Sequence, residues 1–129
     1  MDKRGLTLVE IMVVVMVIGV LMTIALPGVL RARVTANETA AQATLKLISN
    51  ALETYSVATG TYPVTTTALL TASPPYLTKD YFTGVDNGYV YTATTLSGYV
   101  YSIEAAPQSA NLGRSTYTIS TGSVLATAN

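Results

Sequence analysis

The sequence of 129 residues contains no cysteine and no histidine. Without cysteine, the chain cannot form disulfide bonds or use a thiol nucleophile. Without histidine, it cannot build a Ser-His-Asp triad, and the two absences together exclude a Cys/His zinc site. The fold must therefore be held by packing alone, and the composition gives no support to an enzyme.

Charge is also scarce, and its two signs are balanced. Seven Lys and Arg residues stand against seven Asp and Glu residues, and no long basic or acidic run occurs. A nucleic-acid partner is therefore not expected. The acids after the N-terminal segment are scattered singly, so we predict no catalytic carboxylate pair, no metal site and no cofactor. The length suits one modest domain.

The most distinctive segment is an apolar run from residue 6 to residue 30. As an α-helix it would be about 37 Å long, enough to cross a hydrocarbon core of about 30 Å. Lys3 and Arg4 precede the run and favour a cytoplasmic N-terminus, so the domain after Arg33 would be exported. The run is too long for the core of a secretory signal peptide, and no small-residue cleavage site follows it.

Glu10 places an acid inside this apolar run. An acid at the bilayer centre costs about 2.5–3.5 kcal/mol, and less near the interface. From the residues alone, two interpretations stay open: the side chain reaches the lipid headgroups, or it is a functional group that has a partner. A plain membrane anchor would leave both Glu10 and the junction at Gly5 unexplained.

Residues 3–10, Lys-Arg-Gly-Leu-Thr-Leu-Val-Glu, resemble the processing site of type IV prepilins and the related pseudopilins. That family has a basic leader ending in Gly, an apolar residue that is commonly Phe, then Thr, two aliphatic residues and Glu. Leu6 stands at the Phe position, where other aliphatic residues also occur in the family. A second, looser resemblance covers residues 113–125, which are similar to the last strands of many small pilin-like proteins.

The resemblance implies a role for several residues of this motif. A membrane-bound prepilin peptidase would cut between Gly5 and Leu6 and would methylate the new amino group of Leu6. Gly5 suits such a site because the lack of a side chain permits close approach of the protease. Leu6, Thr7 and Glu10 would take part in subunit assembly, with Glu10 paired to the positive N-terminus of a neighbouring subunit.

Gly19 and Pro27 lie within the apolar run. Pro27 lacks a backbone N–H group and should kink or loosen the helix. The resemblance implies a bend at the proline, and unwinding between the glycine and the proline within filaments. The alternative is a harmless kink, because membrane helices tolerate such residues.

The chain becomes amphipathic after Pro27. Apolar residues recur at alternating spacings of four and three and so mark one face of a helix: Ala41, Leu45, Ile48, Leu52 and Tyr55. This stripe predicts a helix that packs on a sheet. The helix should end near Gly60, with that glycine as its C-cap and Pro63 beyond it.

The rest of the chain predicts an antiparallel sheet of three or four strands. We expect a short helical turn at residues 67–70, a turn at residues 86–88, and strands at residues 89–93, 99–104, 115–120 and 124–126. Alternating tyrosines indicate sheet packing, and Asp80 and Asp86 indicate turns rather than a calcium site. The predicted class is α+β with a pilin-like fold, a long N-terminal helix packed on this sheet.

We expect three parts: a leader at residues 1–5, a transmembrane and filament-core helix at 6–30, and an exported globular domain at 31–129. The resemblance implies a structural subunit of a type IV pilus-like filament. As a bacterial precursor it would lie in the inner membrane, and later it would join an extracellular pilus. Its partners would be copies of itself, the prepilin peptidase, the inner-membrane assembly machinery and the membrane.

The alternative is a pseudopilin of a type II secretion system, which has the same kind of N-terminus. Many major pseudopilins bind calcium in a late acidic loop, whereas residues 105–115 contain no acid. Many major pilins have a C-terminal disulfide loop, which this sequence also lacks. The first absence counts against the pseudopilin, and the second counts against a typical large pilin.

Overall fold

A computed structural model describes residues 3–129, with side chains described from residue 7 onward. Its elements are α1 (Lys3–Thr59), α2 (Thr67–Thr71), β1 (Tyr89–Leu96), β2 (Tyr101–Pro107), β3 (Thr116–Ser120) and β4 (Val124–Ala128). The chain divides into two compact units, Met1–Arg33 and Val34–Asn129. Helix α1 and the sheet confirm the predicted α+β, pilin-like class.

The part of α1 beyond Arg33 carries the predicted apolar stripe. Ala41, Leu45 and Ile48 are 0% exposed, and Leu52 is 1% exposed. Their side chains share one core with residues of β1, β2 and β3, so this face of the helix covers the sheet. The stripe predicted from the spacing is confirmed.

Helix α1 ends where the sequence predicts. Gly60 has a φ of +86°, a conformation that costs glycine little because it has no side chain. Its N–H donates to the Ser56 carbonyl at 2.7 Å, which satisfies one of the free carbonyls at the end of the helix. The short helical turn predicted next along the chain is present as α2.

The sheet has four antiparallel strands in the order β1-β2-β3-β4, so each strand pairs with its neighbour in sequence. The predicted turn before β1 is present: Asn87 and Gly88 have φ values of +50° and +79°. Asp86 and Tyr89 close it with two backbone hydrogen bonds of 2.9 and 3.0 Å. Positive φ at both central residues is typical of tight hairpin turns with an Asn-Gly pair.

The predicted boundaries between β1 and β2 are wrong. β1 continues to Leu96, with a register shift between Ala93 and Thr95, and β2 begins at Tyr101 rather than at Tyr99. Ser97 N–H donates to the Val100 carbonyl at 3.0 Å, and this closed turn removes Tyr99 and Val100 from the strand. The extra bulge residue in β1 moves the turn along the chain. β4 also continues further than predicted, to Ala128.

The tyrosines of the sheet pack in the core, as the alternating pattern predicts. Tyr89, Tyr91 and Tyr101 are 0%, 1% and 2% exposed. The ring of Tyr62 meets that of Tyr101 edge to face, with centroids 5.0 Å apart. Such pairs contribute about 0.5–1.5 kcal/mol beyond the area that they bury.

Glu53 belongs to a polar cluster beside the apolar stripe. Its carboxylate accepts hydrogen bonds from the Tyr101 hydroxyl at 3.0 Å, the Tyr62 hydroxyl at 3.0 Å and the Gly122 N–H at 3.2 Å. Ser49, one turn earlier, contacts the hydroxyl groups of Tyr101 and Ser123 at 2.8 and 2.6 Å. This cluster fastens the β3–β4 turn to α1.

A second polar contact fastens the loop before β3 to an earlier part of α1. The Asn37 side-chain amide donates to the Leu112 carbonyl at 2.9 Å. The Glu38 carboxylate accepts the Arg114 N–H at 3.0 Å. β3 is therefore connected to the helix just before it begins and just after it ends.

The acids between α2 and β1 are occupied by turn contacts. Asp80 accepts the Phe82 N–H at 2.9 Å and the Thr83 hydroxyl. The hydrogen bond from Thr83, followed by that from Phe82, lowers the pKa of Asp80. Asp86 forms an ion pair with Lys79. These contacts agree with the predicted turn role of both acids.

Candidate assembly and processing site

Residues 8–30 of α1 present an apolar surface on every side. The exposed fractions of their large apolar side chains lie between 48% for Val17 and 75% for Ile24. Among the described residues, α1 is the helix long and apolar enough to cross a membrane, and none of that stretch is buried. Soluble monomers rarely expose apolar patches beyond a few hundred Å². This surface therefore requires lipid or other protein chains around it.

This segment is helical because its backbone N–H and C=O groups must form hydrogen bonds within the segment itself. Its valines and isoleucines have only modest intrinsic helix propensity, because branching at Cβ restricts their rotamers. In an environment without water, however, each unpaired N–H or C=O group costs several kcal/mol. A helix pairs these groups within the segment, whereas a lone strand leaves them unpaired. The apolar run is therefore helical despite its β-branched residues.

Thr7 and Glu10 are the polar residues near the start of this surface. They are three positions apart in α1, which places them on the same helix face. Glu10 is exposed and is surrounded along the chain by apolar neighbours, with Leu8 62% and Ile11 65% exposed. The geometry brings an acid and a hydroxyl to one helix face near the start of a surface that is mostly apolar.

The predicted cleavage and methylation residues, Gly5 and Leu6, lie outside the residues whose side chains the structure describes. The structure consequently does not test their predicted roles. The motif residues whose side chains are described begin at Thr7 and end at Glu10.

Helix α1 continues through both Gly19 and Pro27. A side chain at Gly19 would meet no atom within 4 Å, so packing inside this chain does not require glycine there. Pro27 has no N–H to donate to the carbonyl of Thr23, four residues earlier. The predicted bend and the predicted unwinding stay predictions.

Thr23 is a residue that the sequence analysis did not single out. Its hydroxyl donates to the Val20 carbonyl at 2.6 Å, and such back-bonding slightly destabilises a helix. Its own carbonyl is the group that Pro27 leaves without a helical donor. The spacing of four residues between Thr23 and Pro27 was the feature of the sequence that could have indicated this unpaired carbonyl. Three features that weaken a helix therefore fall between residues 19 and 27.

Comparison with known proteins agrees with this geometry. Residues 1–26 match the family model of the prokaryotic N-terminal methylation motif. The chain is also similar to the type II secretion system core protein G of Escherichia coli (strain K12), with 36% identity over 67 residues. That match covers 52% of this chain and 46% of the relative, so the chain spans about half the length of the curated relative that it matches.

These two findings confirm the resemblance to type IV pilins and pseudopilins. The methylation motif covers the predicted leader, the predicted cleavage site, Glu10 and most of the apolar surface. A precursor of this kind is anchored in a membrane by its apolar N-terminal helix. The chain therefore resembles the subunits of pilins and pseudopilins, and the comparisons leave the choice between the two open.

Proposed function

We propose that this protein is a structural subunit of a type IV pilus-like filament and not an enzyme. The observation that carries the proposal is the apolar surface of residues 8–30, which has Glu10 near its start and lies within the methylation motif. In this proposal residues 1–5 are a leader, residues 6–30 form the filament core, and residues 31–129 form the exported domain.

Assembly exchanges lipid for identical helices. Between helices in lipid there is no hydrophobic driving force, and association depends on packing and on polar contacts. Once the segment leaves the membrane, however, exposure of its apolar side chains to water costs about 25 cal/mol per Å². The helix therefore leaves lipid only where neighbouring subunits cover it completely. A bundle of copies of the same helix meets this condition.

Glu10 gives the assembly a defined register. Removal of the leader between Gly5 and Leu6 creates a positive amino group at Leu6, which the peptidase then methylates. In an apolar core this amine is the natural partner for the Glu10 carboxylate of a neighbouring subunit, with Thr7 on the same face. Loss of one partner of a buried ion pair costs about 3–5 kcal/mol. Subunits that align the pair are therefore favoured over those that do not.

A pseudopilin of a type II secretion system is the second candidate. The similarity to a type II secretion system core protein favours it. In that case the same helix would build a short periplasmic filament instead of an extracellular pilus. The absence of acidic residues from positions 105–115 counts against the calcium-binding type of major pseudopilin. We retain the pilus as the first candidate for this reason.

Replacement of Glu10 by Ala tests the assembly role. We expect normal cleavage and membrane insertion but loss of filaments, because the amine at Leu6 would have no carboxylate partner. The measurement is electron microscopy of sheared cell-surface material, with mass spectrometry of its subunits. Glu104→Ala, which removes an acid from β2, is the matched control and should leave filaments unchanged. Normal filaments from the Glu10 variant would overturn the assigned role.

Replacement of Gly5 by Leu tests the processing step. The added side chain should block close approach of the peptidase and leave the full precursor in the membrane. Intact mass measurement of the membrane fraction distinguishes the precursor from the shorter methylated product. A product of normal mass would contradict the assigned cleavage site.

Wild-type filaments found in sheared material would favour the pilus, whereas wild-type protein confined to the periplasm would favour the pseudopilin.

A further inference from the structure

Two arginines mark the end of the apolar surface. Arg31 follows Leu30 directly, Arg33 lies two residues further on, and both are exposed. In the sequence they are the only charged residues between Glu10 and Glu38. Because the apolar helix of the precursor is anchored in a membrane, its last apolar turn lies where hydrocarbon meets the lipid headgroups. Long cationic side chains at such a point extend into the headgroup layer.

The spacing between Glu10 and Arg31 matches the thickness of a bilayer. The two residues are about 32 Å apart along α1 at about 1.5 Å per residue, and a hydrocarbon core is about 30 Å thick. When Glu10 lies at one interface, where an acid costs least, Arg31 therefore lies at the other. Arg33 follows about 3 Å further along the helix, among the headgroups.

The chemistry of arginine suits the phosphate groups of this layer. A guanidinium group stays charged at physiological pH, and its planar set of N–H donors binds two phosphate oxygens at once. Residues two apart on a helix do not face each other, so Arg31 and Arg33 extend from different sides of α1. They therefore reach the phosphate groups of different lipid molecules.

The nearest acid beyond the two arginines is Glu38. Neither arginine lies three or four residues from it, which is the spacing at which side chains pair on a helix. The Glu38 carboxylate also accepts the Arg114 N–H at 3.0 Å. The spacing along α1 therefore does not favour an ion pair that would neutralise either cation.

We infer that Arg31 and Arg33 bind the phosphate groups of anionic phospholipids in the leaflet at this end of the apolar surface. Anionic lipids are favoured over zwitterionic lipids because a leaflet with net negative charge attracts basic residues next to a membrane span. The inference rests on the membrane anchoring of the precursor and not on the proposed filament.

Lipid binding to the purified full-length precursor tests this inference. Native mass spectrometry of the protein in a neutral detergent counts the phosphatidylglycerol molecules that stay bound as this lipid is added. Each arginine near an anionic surface strengthens binding about fivefold, so Arg31→Gln and Arg33→Gln should each weaken it about fivefold and the double variant about 25-fold. Lys3 and Arg4 are unchanged in every protein compared, so their contribution is the same throughout.

Lys46→Gln is the matched control. Lys46 is an exposed cation on the same helix, but it lies well beyond the apolar surface, so its loss should leave lipid binding unchanged. Phosphatidylcholine should bind the wild type and the double variant equally weakly, because it has no net negative charge. Inorganic phosphate should not displace phosphatidylglycerol, since the free anion has no acyl chains to cover the apolar side chains.

Two results would overturn the inference. Equal phosphatidylglycerol binding by the wild type and the double variant would show that the arginines do not bind lipid. If that variant also lost oligomers in the same spectra, the arginines would serve a contact between proteins. Displacement of the lipid by inorganic phosphate would indicate a site for the free anion. Because the lipids are counted on the purified precursor, a failure of the proposed filament would not alter this measurement.

Discussion

The two units of this chain reach stability by opposite means. In Val34–Asn129 the apolar stripe of α1 is covered by the chain's own sheet, and Ile48 is 0% exposed. In Met1–Arg33 the large apolar side chains that the structure describes are exposed, and Ile18 is 51% exposed. Hydrophobic composition is therefore a poor guide to a residue's role here. The role of an apolar side chain depends on whether it is buried by the same chain or by lipid and other chains around it.

The strongest test of this comparison makes the same substitution in both units. Ile48→Ala should lower the free energy of unfolding of the globular unit by about 2–5 kcal/mol, because it leaves a cavity in a closed core. Ile18→Ala should leave that free energy unchanged within about 0.5 kcal/mol. Chemical denaturation of the full-length protein in detergent, followed by the tyrosine signal, measures both. Equal destabilisation by the two variants would contradict the division.

A smaller effect is expected from Gly113, whose lack of a side chain the globular core requires. A Cβ at Gly113 would lie 2.2 Å from the Tyr89 hydroxyl oxygen and 2.6 Å from its Cζ atom. Gly113→Ala should therefore displace Tyr89 and cost about 1–3 kcal/mol by overpacking. Gly98→Ala is the matched control, because its nearest neighbour, Thr61 Cβ, would be 3.8 Å away. The same denaturation assay should show little change for this control.

The smallest expected effect is a change in how steeply the free energy of unfolding varies with pH. Burial raises the pKa of Tyr89 from 10.0 to about 12. Between these values the unfolded chain loses the phenolic proton and the folded chain keeps it, so stability falls as pH rises through this window. Below pH 10 this contribution is fully present, since both states keep the proton.

Tyr89→Phe should flatten the fall in stability between pH 10 and about 12, since the variant has no proton to lose at this position. It should also be less stable at neutral pH, because the Tyr89 hydroxyl donates to the Ser115 carbonyl at 3.0 Å. Tyr99→Phe is the control, because Tyr99 is 85% exposed. Denaturant midpoints measured across this range give the slope. Identical slopes for the two variants would show that Tyr89 ionises freely in the folded state.

The sequence predicted the features that depend on local patterns. The stripe from Ala41 to Leu52 follows from helical spacing, and the cap at Gly60 follows from the conformational freedom of glycine. The turn at Asn87 and Gly88 follows from the same freedom. Each of these signals lies within a few residues of the structure that it predicts.

Features that depend on distant partners could not be predicted in the same way. Tyr99 and Val100 have strand-like side chains, and only the register of β1 against β2 places them in a turn. Glu53 carries no local sign that Gly122, 69 residues away, will donate to it. The candidate site shows the same limit: Glu10 is visible in the motif, but its proposed partner belongs to another chain.

The two polar connections between α1 and the end of the sheet have a mechanical consequence. Asn37 and Glu38 hold the loop before β3, whereas Ser49 and Glu53 hold the turn after it. These attachment points are separated by about 20 Å along the helix at about 1.5 Å per residue. A force that pulls on the helix is thus divided between two widely spaced sets of hydrogen bonds. Because the two sets of contacts are independent of one another, we expect either set to keep its end of β3 attached to the helix when the other is lost.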